Sequence, residues 1–154
     1  MNVLTYDYHT SFDPETDHHA PLKAKPGNLD VETSKLNVEW TINYLIKLGA
    51  PRGKIILGIP TYGRSFTLAD ASNNGVNAPA EGPGDAGVST REKGYLAFYE
   101  ICQKVEDEDW QLHRLFPHIE VREATTIKAQ RNSSFNLILL TGTLCGEGQA
   151  MGSI

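Results

Sequence analysis

Two short groups of residues combine side chains that could bind a polar ligand. The first is Tyr6-Asp7, a phenol beside a carboxylate, and the second is Tyr62-Gly63-Arg64, a phenol beside a guanidinium. Each group follows an apolar stretch, so a strand can fix the backbone while polar groups project from its end, a common way to build a ligand site. Spacing alone leaves a second interpretation open, in which Arg64 lies in solvent, Asp7 caps a strand end and Tyr6 packs in a core.

The stretches before these two groups predict strands. Val3 to Tyr8 alternates β-branched and aromatic residues, which is typical of a strand. Ile55 to Ile59 is apolar without polar alternation, as expected of a strand buried on both faces of a parallel sheet. Pro60 ends this strand, because proline has no N–H to donate to a neighbouring strand. We therefore expect Tyr62 to Arg64 to form a glycine turn after it.

The chain between the two strands predicts a helix over Asp30 to Gly49. Thr33 or Ser34 can cap its start, and Gly49 stands where a left-handed residue closes a helix. Apolar residues recur every four positions, so Trp40 is expected to pack against the sheet and not to serve as a stacking surface for a ligand. The order strand, helix, strand predicts a parallel α/β sheet.

The second half of the sequence gives weaker signals. Turn-forming residues dominate Asp70 to Gly87, which predicts a long loop. Thr90 to Lys104 predicts a second helix with Thr90 as its N-cap. The acidic residues Glu106 to Gln111 are expected to be the solvated end of that helix. Farther on, Phe135 to Thr141 could form a strand.

Composition and charge argue against a nucleic-acid-binding protein and against a membrane-spanning one. The 154 residues are 40% hydrophobic and 21% charged, which is typical of a soluble globular chain. The formal net charge of -5 offers no basic surface for nucleic acid. No apolar run approaches the roughly 20 residues that cross a bilayer, and no secretory signal follows Met1.

The histidines and cysteines do not predict a metal site. Neighbouring residues of a strand, such as His18 and His19, point to opposite faces, and no further ligands with suitable spacing accompany them. The two cysteines, Cys102 and Cys145, are too few for a disulfide scaffold, and Cys145 is not expected to be the partner of Cys102, whose partner stays open.

Family 18 glycoside hydrolases, the chitinases and chitinase-like proteins, resemble this sequence in four stretches that occur in the same order. The stretches are N-V-L-T-Y-D-Y-H at 2–9, H-H-A-P-L at 18–22, G-I-P-T-Y-G-R-S-F-T-L at 58–68 and G-P-G-D-A-G-V-S-T-R-E-K-G-Y-L-A-F-Y-E-I-C at 82–102. The sequence is most similar to arthropod members. Beyond Gln111 the resemblance is expected to end.

The resemblance implies a fragment of a TIM barrel, because a complete (β/α)8 barrel typically has about 250 residues. It places barrel strands six and seven with their helix in residues 1–68. It places part of the family's α+β insertion domain in residues 69–111, and it leaves residues 112–154 as a divergent tail with no assignable domain.

The implied function is that of a chitinase, which hydrolyses β-1,4-linked N-acetylglucosamine polymers outside the cell with retention and without metal or cofactor. In this substrate-assisted mechanism the sugar's own acetamide oxygen attacks the anomeric carbon. The resemblance implies that Tyr6 hydrogen-bonds the N-acetyl carbonyl, that Asp7 contacts the sugar and steadies positive charge, and that Tyr62 and Arg64 bind substrate. Chitin or its oligosaccharides are then the expected partners, with no nucleic acid and no membrane.

The family's catalytic motif, D-x-x-D-x-D-x-E, is absent from this sequence. The acidic stretch before Gln111 resembles only the end of that motif and has glutamine where the motif has glutamate. We therefore expect no catalytic general acid in this chain, with Tyr6 and Asp7 in supporting roles. Two alternatives stay open: a non-catalytic chitinase-like lectin or growth-factor relative, and a truncated product with no function of its own.

Overall fold

The structure is a computed structural model that describes residues 1–25, 27, 30–107, 111–114, 125–131 and 134–140. Its elements in chain order are β1 (Asn2–Val3), α1 (Val38–Lys47), β2 (Ile56–Leu57), β3 (Tyr62–Leu68), β4 (Ala80–Pro83), β5 (Tyr95–Ala97), α2 (Phe98–Asp107), β6 (Gln111–Arg114), β7 (Thr125–Arg131) and β8 (Ser134–Leu140). None of the helices within these ranges is long and apolar enough to cross a bilayer.

The first two strands form a parallel pair with α1 between them in sequence, which confirms the predicted strand-helix-strand unit. Val3 lies opposite Leu57, and the Gly58 N–H donates to the carbonyl oxygen of Val3 at 2.9 Å. A Cβ atom at Gly58 would lie 2.8 Å from that same carbonyl oxygen. Only glycine therefore permits this close approach of the two chains. Both strands are shorter than the sequence predicted.

Helix α1 begins later than expected, and its cap is Asn37. The Asn37 side chain accepts a hydrogen bond from the Trp40 N–H at 2.8 Å, which satisfies a donor of the first helical turn. The expected caps, Thr33 and Ser34, lie instead in a separate 3-10 turn. The helix end agrees with the prediction, because Gly49 has a φ of +98°.

The apolar side of this parallel unit is more exposed than the sequence predicted. Trp40 is 38% exposed and stacks on Tyr44, and Ile56 in β2 is 62% exposed. The expectation that this strand is buried on both faces was wrong, because β1 is the only strand paired with β2 in the described part of the chain. A groove of about 520 Å³ lies between α1 and β2.

The other strands form a six-stranded antiparallel sheet in the order β4-β3-β8-β7-β6, with β5 also paired to β3. Tyr62 to Arg64 were predicted as a turn, but they begin β3 and pair with β5 on one edge and β8 on the other. The predicted loop from Asp70 to Gly87 contains β4. The strand expected at Phe135 to Thr141 is confirmed as β8, so residues within the 112–154 tail share a sheet with β3.

The first half of this second unit contains a buried core. Phe66, Leu68 and Ala78 form one buried cluster, and Leu96 and Ile101 are also buried. Helix α2 carries Ile101 and starts at Phe98, eight residues after the predicted start at Thr90, because β5 occupies the intervening chain. Cys102 on α2 is disulfide-bonded. Cys145 and part of the acidic stretch before Gln111 lie outside the described residues.

Candidate functional site

An ion pair joins the end of the parallel unit to the antiparallel sheet. Asp7 follows β1, and Arg64 lies in β3. The Nε and Nη2 atoms of Arg64 both donate to Oδ1 of Asp7, each at 2.9 Å. Hydrogen bonds between two ionised groups are the strong ones, so this contact fixes both side chains.

Asp7 adopts a backbone conformation that residues other than glycine rarely adopt. Its φ is 60°, in the left-handed region. Such a conformation costs on the order of 1–3 kcal/mol and persists only where the surroundings impose it. Here the Arg64 guanidinium holds the carboxylate in place, so the chain tolerates the strain at the point where Asp7 is presented.

Tyr62 lies at the centre of the aromatic part of the site. The Tyr6 ring meets it edge-on, with ring centroids 6.0 Å apart, and the Tyr95 ring stacks on it at 4.7 Å. The Arg64 guanidinium carbon lies 5.4 Å from the Tyr62 ring centroid, within the range of a cation–π contact. Burial raises the pKa of Tyr62, and its hydrogen bond to Asp7 raises it further. The hydroxyl therefore stays protonated and donates to the carboxylate.

A loop between Asp7 and α1 brings a further residue, His19, beneath the site. The loop is held by hydrogen bonds from the Ser11 hydroxyl to the Gly94 carbonyl and from the Tyr8 N–H to the His19 carbonyl, at 2.7 and 2.9 Å. The His19 side chain is 0% exposed, and its ring lies 4.8 Å from that of Tyr62. Burial lowers the pKa of His19 to about 4.

The structure thus brings together all the residues that the sequence singled out, namely Tyr6, Asp7, Tyr62 and Arg64. Sequence reasoning missed Tyr95 and His19. Tyr95 lies in β5, a segment predicted to be helical, and the pairing of β5 with β3 places it opposite Arg64. His19 was considered only as a metal ligand. Among the described residues, no group of three or more His, Cys, Asp or Glu side chains could hold a metal ion.

Comparison with known proteins identifies the family. The model of glycosyl hydrolases family 18 matches residues 1–137. This chain belongs to that family. The match runs past Gln111, so the expectation that the resemblance ends there was wrong.

Similar curated proteins of family 18 include chitinases and chitinase-like proteins. Probable chitinase 10 of Drosophila melanogaster is 46% identical over 110 residues, which is 71% of this chain and 5% of that protein. Mouse chitotriosidase-1 is 43% identical over 113 residues, 70% of this chain and 24% of that protein. Human chitinase-3-like protein 2 is 47% identical over 105 residues, 67% of this chain and 26% of that protein. The chain therefore spans about a quarter or less of these relatives.

Solved structures of family 18 proteins agree with the fold. Catalytic domain 2 of the group II chitinase of Ostrinia furnacalis is 34% identical, with a TM-score of 0.76 over 89% of this chain and 33% of that one. Human YKL-39, described as a pseudo-chitinase with retained chitooligosaccharide binding, is 35% identical, with a TM-score of 0.77 over 94% of this chain and 36% of that one. These neighbours imply a TIM-barrel-type α/β fold, of which the chain corresponds to about a third.

Proposed function

We propose that this family 18 chain supplies one wall of a cleft that binds oligosaccharides of N-acetylglucosamine, as found in chitin. The observation that carries the proposal is the cluster of Asp7, Arg64 and Tyr62, in which two guanidinium N–H groups at 2.9 Å and a phenol hydroxyl hold one carboxylate. Carbohydrate sites need fixed polar groups beside aromatic faces. This cluster provides both.

Each side chain has a role that fits an N-acetylated sugar. Arg64 and Tyr62 engage the Asp7 carboxylate, which is partly exposed and retains free lone pairs to accept the N–H of an acetamide. The Tyr6 hydroxyl can donate to the acetamide carbonyl. The relatives support this assignment, because the O. furnacalis catalytic domain 2 was solved with an N-acetylglucosamine pentamer and YKL-39 with the tetramer.

The proposal extends to the place of this chain in the barrel. The parallel register of β1 and β2 supports their assignment as barrel strands six and seven within residues 1–68. Residues 69–111 are assigned to the α+β insertion domain. The pairing of β3 with β4, β5 and β8 favours an insertion that begins at β3 and takes in part of the 112–154 segment.

Binding without turnover is the proposed activity of this chain by itself. The sequence has no D-x-x-D-x-D-x-E motif and so no recognisable general acid. Positioned general acid catalysis contributes roughly two to four orders of magnitude in rate. The whole protein is proposed to be an extracellular chitinase that hydrolyses its substrate with retention and uses no cofactor.

The experiment is a calorimetric titration of the chain with chitotetraose, beside cellotetraose, which lacks the acetamide. We expect binding of chitotetraose alone. Asp7→Asn should weaken it by about tenfold or more, the equivalent of about 1.4 kcal/mol, because a charged acceptor is lost. Asp13→Asn is the matched control, since Asp13 faces His9 in the neighbouring loop and should leave affinity unchanged.

Two results would contradict the proposal. One is equal affinity for the two sugars, since the acetamide would then not be recognised. The other is an affinity that Asp7→Asn leaves unchanged. Hydrolysis above the buffer control, measured by product chromatography, would contradict the proposed lack of turnover.

A non-catalytic chitinase-like protein is a second candidate for the whole molecule. The similarity to human YKL-39, at 35% identity, favours it. Both candidates require the same binding result in this chain. They differ in whether the whole protein carries the glutamate that ends the catalytic motif, which a full-length transcript decides.

A further inference from the structure

His19 contacts two residues of the site at once through its two ring nitrogens. Its Nε2 atom lies 3.2 Å from the carbonyl oxygen of Tyr62. Its Nδ1 atom lies 3.7 Å from Oδ1 of Asp7. No part of the ring is exposed. The imidazole therefore links the carboxylate to the strand that carries Tyr62 and Arg64.

The contact with Tyr62 fixes which nitrogen carries the proton. A backbone carbonyl oxygen only accepts hydrogen bonds, so Nε2 of His19 must be the donor. A neutral imidazole has one N–H group, and Nδ1 then presents a lone pair. Within the described part of the chain, Nδ1 makes no hydrogen bond. Two acceptors, Nδ1 of His19 and Oδ1 of Asp7, thus face each other with no proton between them.

The surrounding groups decide how readily a proton enters this gap. Burial disfavours the imidazolium most strongly, and the charge of Arg64 and the neighbouring His18 also disfavour it. Asp7 and the Tyr62 carbonyl favour it. Arg64 donates from two of its nitrogens, Nε and Nη2, to the same Oδ1 atom that faces Nδ1. At neutral pH the pair therefore consists of a neutral imidazole beside a carboxylate.

We propose that His19 is a positioning residue that shares one exchangeable proton with Asp7, and that this proton, when present, weakens the binding of N-acetylated sugars. The proton comes from solvent and bonds to Nδ1, whose N–H then donates a hydrogen bond to Oδ1 of Asp7. This hydrogen bond occupies a lone pair of the carboxylate and the positive imidazolium offsets its negative charge, so it accepts the acetamide N–H less well. The second half of this inference rests on the proposed function.

The first test follows the two ring nitrogens of His19 by long-range proton–nitrogen NMR on the whole chain. We expect the Nε2–H tautomer at pH 7 and arrival of a proton at Nδ1 on acidification. In Asp7→Asn this proton uptake should move to lower pH by about one unit, a tenfold loss of proton affinity. Asp13→Asn, a carboxylate facing His9, should leave it in place.

Two outcomes of this test would overturn the proposal. The first is an Nδ1–H tautomer in the unaltered chain at pH 7, a measurement that does not depend on the folding of any variant. The second is an identical titration of His19 with and without the Asp7 carboxylate.

The second test compares chitotetraose affinity at pH 7 and pH 4 in the unaltered chain and in His19→Asn. The asparagine amide can place a permanent N–H donor near the Nδ1 position and does not titrate. We expect affinity to fall about twofold on acidification in the unaltered chain, because about half of the His19 rings carry the proton at pH 4, and to change little in the variant. The same fall in both would refute a role for His19. If neither chain binds at either pH, the proposed function fails, and the nitrogen titration still decides whether the proton is shared.

Discussion

The buried imidazole of His19 should make the stability of the folded chain depend on pH. Its pKa is about 4 in the folded chain, against about 6.5 when unfolded. The unfolded chain therefore binds a proton below pH 6.5, whereas the folded chain does so only near pH 4. Stability is fully present above pH 6.5 and falls as pH drops towards 4, by an amount on the order of 3 kcal/mol.

The measurement is urea unfolding at pH 7, 5.5 and 4 in the unaltered chain and in His19→Asn. The variant should show a shallower loss of stability on acidification. Burial lowers the pKa of His18 to about 4 as well, so its contribution is common to both proteins and cancels in the comparison. Parallel curves for the two proteins would contradict this prediction.

Gly58 is a second residue whose replacement has a defined physical result. Gly58→Ala should lower the free energy of unfolding by about 1–3 kcal/mol, because the added Cβ would lie 2.8 Å from the Val3 carbonyl oxygen and force the two chains apart. Gly53→Ala is the control, since no atom lies within 4 Å of a Cβ at that position. The measurement is the thermal unfolding midpoint of each variant. An equal decrease in the two variants would contradict the steric role of Gly58.

Single residues of the site were predictable where they follow strands. Tyr6-Asp7 and Tyr62-Gly63-Arg64 were singled out because each group places a phenol beside a charged side chain after an apolar stretch. His19 was not singled out for the site, because the loop that carries it has no periodic pattern and its contact with Tyr62 joins residues that are distant in sequence. Tyr95 was missed for a similar reason, since its partner Arg64 is set by strand register.

At the scale of elements, Glu100 ties the start of α2 to the preceding turn. Its carboxylate accepts hydrogen bonds from the backbone N–H groups of Ser89, Thr90 and Ala97, at 2.7, 3.1 and 3.0 Å. Burial acts to raise the pKa of Glu100, but the three donors outweigh it and hold the pKa below its usual value. The carboxylate therefore replaces the N-cap expected from Thr90.

Glu100→Gln should destabilise this element by about 1–3 kcal/mol, because a buried charged acceptor of three donors is lost. Since the pKa is lowered on folding, the contribution of Glu100 is present above the pKa of an unfolded glutamate, about 4.3, and is lost below it. Hydrogen exchange of the Ser89 and Ala97 amides measures the effect. Glu92→Gln is the control, because Glu92 is exposed. Similar exchange in both variants would argue against a stabilising role of the three hydrogen bonds to Glu100.

Local sequence patterns predicted the presence of several helices and strands, but they did not predict where each one begins and ends. The apolar repeat located α1, yet its start moved to Val38 because Asn37 satisfies the first turn in place of Thr33. The predicted turn at Tyr62 to Arg64 is a strand because β5 and β8 supply hydrogen-bonding partners on both edges. Such long-range pairing leaves little local signal in the sequence.

At the scale of the whole molecule, the groove between α1 and β2 leaves apolar side chains in solvent. Its lining includes Ile46, Ile55 and Leu57. Exposed apolar surface of this kind binds hydrophobic dyes and promotes association. We expect the chain to bind such a dye at neutral pH while folded.

Ile46→Gln should reduce dye fluorescence, because it places a polar side chain in the groove without lowering helix propensity. Val88→Gln removes an equally apolar but isolated side chain, 91% exposed and outside the groove lining, and should change fluorescence little. The same reduction in both variants would show that the dye does not report on the groove.

The left-handed backbone at Asp7 bears on how mutational scans of this chain are interpreted. Replacement by alanine removes the carboxylate and also places a Cβ-bearing residue with no local hydrogen bond at a φ of 60°, so a single loss of signal mixes two causes. Asparagine accepts that conformation and removes the charge alone. In a saturation library selected for folding only, glycine and asparagine should be enriched at position 7 and valine and isoleucine depleted. A ranking of substitutions by abundance would then follow backbone tolerance, whereas a ranking by sugar binding would follow charge.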